Sequence, residues 1–112
     1  MLETTRRATI ARLNDHFRAT GEDGWILLSR GVALLPIANK DEVIRAVRLF
    51  DAFTADNDPR GEHDCAALSA GGQRIIWKID YYPRDRNRQT DPDPADPATT
   101  KRVMTIMLAE EY

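Results

Sequence analysis

Apolar positions along this chain follow two rhythms, one of helical spacing and one of strict alternation. In residues 4–20, Ile10, Leu13 and Phe17 recur at helical spacing, with Arg6, Arg7, Arg12 and Arg18 spread over the remaining faces. That pattern predicts an amphipathic helix. Thr4 or Thr5 supplies a side-chain oxygen to cap its first turn, and Gly21 can take the left-handed conformation that ends it. Val43, Val47, Phe50 and Phe53 repeat the helical spacing and predict a second helix over 40–53. Asn39 and Glu42 stand at capping-box spacing at its start.

Between the helices, Trp25-Ile26-Leu27-Leu28 is too short for a helix and reads as a buried strand, with Trp25, like Trp77, in the core; a base-stacking role for either would need an exposed face. Gly31 and Pro36 bracket a short turn after it. Residues 54–64 are dense in turn formers and predict a surface loop. Beyond them the rhythm becomes alternation. Strands over Cys65–Ala70 and Gln73–Tyr82 flank Gly71-Gly72, a turn that needs positive φ, so the segment predicts a hairpin in which Ala70 pairs with Gln73. On the longer strand, Ile75, Trp77, Ile79 and Tyr81 share the core face, and Ile76, Lys78, Asp80 and Tyr82 share the other. Residues 83–98 carry prolines too densely for regular structure and predict a long loop. The β-branched run over 102–108 predicts a last strand. The expectation is one domain over 1–112, of α+β class, with helices packed on one face of a small antiparallel sheet in the order α-β-α-β-β-β.

Composition narrows the function classes. The 112 residues carry 16 Lys and Arg against 18 Asp and Glu, a formal net charge of -2. A generally basic nucleic-acid binder is excluded, although a local patch is not. The single cysteine, Cys65, allows no intramolecular disulfide and reads as a small buried hydrophobe. Residues 1–12 lack the apolar core of a signal peptide, and no apolar run is long enough to span a bilayer. A cytoplasmic protein that does not enter a membrane is expected.

The residues that could carry chemistry cluster at the hairpin. Glu62, His63 and Asp64 lead into its first strand, and Lys78, Asp80 and Tyr82 lie on the outer face of its second. The expected register brings His63 beside Asp80. There His63 would act as general acid or base, Lys78 would stabilise developing charge, and the carboxylates would orient the imidazole. The alternative is that His63 and Asp80 merely brace the loop against the sheet, as ion pairs often do. Asp56, Asp58 and Gly61 fall at the first, third and sixth places of a calcium loop, but Arg60 and Ala67 stand where two further oxygen ligands are needed. A transition-metal site at His63 with Glu62 or Asp64 lacks a second nearby histidine, so no metal and no cofactor is expected. Arg84, Arg86 and Arg88 could meet phosphates, but Asp85, Asp91, Asp93 and Asp96 offset them.

Three segments carry a resemblance: Asn57 to Asp64, Trp77 to Tyr82, and Thr105 to Tyr112. With their NDPxGEHD…WKIDYY…TIMLAEEY pattern they resemble a family of short uncharacterised bacterial proteins, mainly alphaproteobacterial and often borne on plasmids or other mobile elements. Cys65 departs from the resemblance, which implies a larger aromatic there. The mobile-element setting implies roles such as countering host defence or plasmid upkeep. The function expected is a binding or regulatory module that contacts a macromolecular partner, protein ahead of nucleic acid. The alternative is a metal-independent nuclease or related hydrolase using the hairpin set. An antiparallel meander leaves strand edges to cover, which would permit a homodimer.

Overall fold

The computed structural model describes residues 2–85, 87 and 91–112. Its elements are helix α1 (Leu2–Thr20), strand β1 (Gly24–Leu28), helices α2 (Arg30–Ala33) and α3 (Ile37–Arg48), strands β2 (Cys65–Ala70), β3 (Gln73–Pro83) and β4 (Thr100–Leu108), and a closing 3-10 turn (Ala109–Glu111). Arg86 and Arg88 lie outside the described residues.

α1 ends as its sequence predicts. Gly21 sits at φ 72, and its N–H donates to the Phe17 carbonyl at 2.7 Å. The buried stripe of α1 is Ile10, Ala11, Asn14, Phe17 and Arg18, so Arg18 is not on an outer face as expected. Its guanidinium is taken inward by the C-terminal end of α3, where helical carbonyls lack intrahelical donors. Arg18 Nε donates to the Val47 carbonyl at 3.1 Å, and another guanidinium nitrogen donates to the Phe50 carbonyl at 2.8 Å. The same group lies over the Trp77 ring, 4.8 Å from its centroid. Burial depresses the Arg18 pKa, and Asp15 opposes the shift.

α3 is shorter than its periodicity suggests. It begins at Ile37 after Pro36, without a side-chain cap, and ends at Arg48. Asn39 is not the cap; its amide donates to the Gly71 carbonyl at 3.2 Å and ties α3 to the hairpin turn. Phe50 and Phe53 leave the helix yet still pack on the core, edge-on to Trp77 at 5.9 and 6.1 Å. Helical spacing therefore predicted the burial of both rings but not the backbone beneath them.

The hairpin forms in the expected register, with Ala70 opposite Gln73 and Cys65 opposite Lys78. Gly71 and Gly72 have φ values of 59 and 75. A Cβ on Gly71 would also meet the Asn39 carbonyl oxygen at 2.8 Å, so glycine is required there twice over. β4 runs antiparallel to β3, completing a three-stranded meander. β1 then joins β4 in parallel, with Trp25 opposite Val103, and the sheet is mixed in the order β1-β4-β3-β2. The helices pack on one face, over Ile75, Trp77, Ile79, Met104 and Ile106. Among the described residues no α-helix packs on the other face, and there β1 presents Trp25 and Leu27. Trp25 was expected in the core and is 57% exposed, because an edge strand with one bare face buries only alternate residues. Cys65 likewise points outward and is exposed.

Two carboxylates fasten the chain's connections. The Glu111 carboxylate accepts from Ser29 Oγ at 2.6 Å, the Leu108 N–H at 2.7 Å and the Gly31 N–H at 2.9 Å, joining α2 to the end of β4. These bonds, Ser29's first, hold the Glu111 pKa below the carboxylate range. Asp93 ties the Pro-rich loop to α1 by accepting from Arg6 at 2.7 Å. Among the described residues no helix is long and apolar enough to cross a membrane.

Candidate functional site

The loop before β2 is held by a buried polar cluster under α1. Gly61 and His63 both adopt positive φ, at 68 and 55, which turns the chain sharply and swings the imidazole away from the strand. The ring stacks face to face on Phe53 at 3.9 Å between centroids. Its Nδ1 lies 2.9 Å from an Asp15 carboxylate oxygen, and its Nε2 lies 3.5 Å from Asp58. The His63 backbone N–H donates to Asp58 at 3.2 Å. Asp58 is buried, and its carboxylate caps this turn rather than facing outward as a calcium ligand would. Asp15 also accepts from Arg18 at 3.1 Å.

Asn14, fully buried on α1, organises the next layer. Its amide nitrogen donates to the Glu62 carbonyl at 3.0 Å and to the Tyr81 hydroxyl at 2.9 Å. Its oxygen accepts from Arg102 Nε at 2.6 Å. Arg102, buried, also donates to the Pro94 carbonyl and lies 5.3 Å from the Tyr81 ring centroid. Burial pushes the Tyr81 hydroxyl up to about 12, with the Asn14 bond opposing, so the phenol stays protonated at neutral pH.

Lys78, Asp80 and Tyr82 share the open face as expected, but His63 is turned away from them in the loop before β2. Lys78 and Asp80 pair with each other at 2.8 Å on the open face, and that hydrogen bond raises the Lys78 pKa. Tyr82 continues the same face and is 51% exposed. Asp64 pairs with Arg60 at 3.1 Å, while its carbonyl accepts from the Ile79 N–H. Glu62 enters the polar cluster through its backbone carbonyl. His63 meets Asp15 and Asp58 on the helix-covered side, so its partner is not Asp80 as the register suggested. Burial, and then Asp64, raise the Cys65 pKa, which leaves the thiol a weak nucleophile. Among the described residues, no group of three or more His, Cys, Asp or Glu side chains could hold a metal ion.

The open face of the sheet has a different character. Along β1 it carries Trp25 and Leu27, along β4 Lys101, Val103 and Thr105, and along β3 Ile76, Lys78, Asp80 and Tyr82. At one end, Trp25, Tyr82, Pro83, Arg84, Lys101 and Val103 line an open depression of about 470 Å³. The Lys101 ammonium lies 4.8 Å from the Trp25 ring centroid. Arg84 donates to Asp23 at the rim and, through Nε, to the Pro97 carbonyl at 2.8 Å.

A family model described as a protein of unknown function, DUF3768, matches residues 28–111. The chain belongs to that family. No curated protein matches it, and no solved structure does. Membership agrees with the expected resemblance at the level of an uncharacterised family. The DUF3768 match covers His63, Lys78, Asp80, Tyr82 and Lys101, and begins after α1, Trp25 and Leu27.

The sequence pattern did not single out Asn14, Asp15, Lys101 or Arg102, and it placed Trp25 in the core. One signal was present: Asn14 and Arg18 fall in step with Ile10 on the stripe that α1 buries. Polar residues on an apolar stripe need buried partners, which is a reason to look for them.

Proposed function

We propose that the chain is a binding module that contacts a macromolecular partner through the open face of its sheet. The observation that carries this is the exposure of Trp25 at 57%, Leu27 at 48% and Tyr82 at 51% on the face opposite the helices. A sheet face that presents aromatic and aliphatic side chains to water is costly unless something covers it. Aromatic side chains are also the residues from which binding hot spots are most often built. The buried cluster around His63 then serves to fix the loop and the last strand beneath that face. The hydrolytic alternative draws less support, since His63 and the Lys78–Asp80 pair stand on opposite sides of the sheet.

The test is retention from a cell extract by the immobilised chain, with bound protein and nucleic acid both measured. Leu27→Glu combined with Trp25→Ser is expected to reduce retention at least about tenfold, the scale of losing one hot spot. Leu49→Glu, at an exposed position on the helix side, is expected to leave retention unchanged. Equal retention by all three proteins would contradict the proposal.

A further inference from the structure

We infer that the depression between Trp25 and Tyr82 binds single-stranded nucleic acid, with bases stacked on the two rings and Lys101 reaching a phosphate. This deepens the open-face proposal and rests on it. A single strand offers exposed π faces and regularly spaced negative charge together, and the depression complements both.

The aromatic half of the match comes from topology. Val103 stands opposite Trp25, and Lys101 stands opposite Tyr82, so the two rings share one face on either side of β4. Strand spacing and rise place their Cα atoms about 12 Å apart. Each ring can therefore take its own base, and the chain between them crosses β4. Trp77, by contrast, is fully buried and cannot stack on a ligand. Four-stranded sheets with aromatic residues on an uncovered face bind single strands in this way, because every base has a π face.

The charged half comes from Lys101, since Arg84 at the rim is held by Asp23 and the Pro97 carbonyl. Among the described residues that line the depression there is no carboxylate. Asp80 is engaged by Lys78, and Arg84 by Asp23, which leaves Lys101 as the lining cation that can turn to a phosphate. The Lys101 ammonium lies over the Trp25 ring, and among the described residues that line the depression no carboxylate competes for it. A base that stacks on Trp25 displaces the ammonium from the ring, and the flexible stem lets it turn to the adjacent phosphate. A duplex hides its base faces and gains nothing from the rings. An acidic protein segment supplies charge without the planar stacking surfaces.

The whole-chain charge of -2 excludes a generally basic nucleic-acid binder but leaves room for a local patch. With Trp25 outside and beside Lys101, local charge decides.

Short mixed-sequence single-stranded RNA and DNA, the same sequences as duplexes, and polyglutamate should be titrated at low salt by anisotropy. Intrinsic tryptophan fluorescence should be followed in parallel, where Trp25 is the exposed reporter and Trp77 the buried one. Single strands are expected to bind and quench; duplex and polyglutamate are expected to bind at least about tenfold more weakly. Trp25→Ala and Tyr82→Ala should each weaken binding by about 5- to 150-fold, the range of one stacked base. Trp25→Phe should recover most of the loss, and Lys101→Gln should lower the salt dependence by about one released counterion. Circular dichroism on each variant confirms folding. The inference is overturned by absence of single-strand binding, by equal binding of duplex or polyglutamate, or by binding indifferent to both aromatic substitutions. If oligonucleotides fail while open-face substitutions still abolish retention of a protein from extract, the partner is a protein and only this inference falls. If retention is indifferent as well, both fall.

Discussion

Asn14→Leu is the substitution that most directly probes how the loop and the last strand are held. Leucine conserves most of the volume, so the cost comes from hydrogen bonds rather than from a cavity. Three groups lose their Asn14 partner: Arg102 Nε, the Tyr81 hydroxyl and the Glu62 carbonyl. A bond to a charged group contributes about 1.5–3 kcal/mol and each neutral one about 0.5–1.5 kcal/mol. The expected destabilisation is about 2.5–6 kcal/mol, against a total of about 5–15 kcal/mol for a domain of ordinary stability. Asn14→Asp behaves differently. A carboxylate can accept from Arg102 and from the protonated Tyr81 hydroxyl, so only the Glu62 carbonyl loses its donor, although the carboxylate must be buried. It should therefore be less destabilising than Asn14→Leu. Urea unfolding followed by circular dichroism measures both. A loss below about 1 kcal/mol for Asn14→Leu, or a larger loss for Asn14→Asp, would refute the assigned role of this network.

His63→Ala should cost about 1–2 kcal/mol in urea, because it removes the Phe53 stack and the Asp15 contact. His63→Gly should recover roughly half of that, since glycine is at ease at the positive φ of this position. Trp25→Ala should change stability by less than about 0.5 kcal/mol, as expected for an exposed site, while Trp77→Ala should cost about 3–5 kcal/mol. The clamp made by Glu111 should weaken in acid. Its folded pKa lies below the ordinary value of 4.5, so its contribution is complete above that value and is lost as pH falls through the folded pKa. Amide exchange at Gly31 and Leu108, corrected for intrinsic rates, should therefore accelerate on the acid side of 4.5 in the wild type, and Glu111→Gln should show the acceleration already at neutral pH.

Local rules carried much of the fold. The hairpin register, the buried alternation of Ile75, Trp77 and Ile79, and the glycine stop after α1 all depend on near neighbours in sequence. The parallel docking of β1 on β4 joins residues far apart in the chain, and no local pattern encodes it. The run Trp25-Ile26-Leu27-Leu28 is apolar throughout, so periodicity could not reveal which residues face water. Phe50 and Phe53 kept helical spacing after the helix had ended, because both still face the core. Of the expected site residues, Lys78, Asp80 and Tyr82 share the outer face, and their alternation with buried Trp77 and Ile79 was legible. The positive φ of His63 was not, and it redirects the ring to Asp15, a partner contributed by α1.

The most direct test of the open face as the contact surface is site-specific photocrosslinking. A photoreactive amino acid replaces Leu27 on the bare sheet face or Leu49 on the helix side, both of them exposed. After irradiation in extract, position 27 should yield a discrete crosslinked species that excess unlabelled wild-type protein competes away, and position 49 should yield none. Crosslinking from position 49 alone, or from neither position, would contradict a binding surface on the open face.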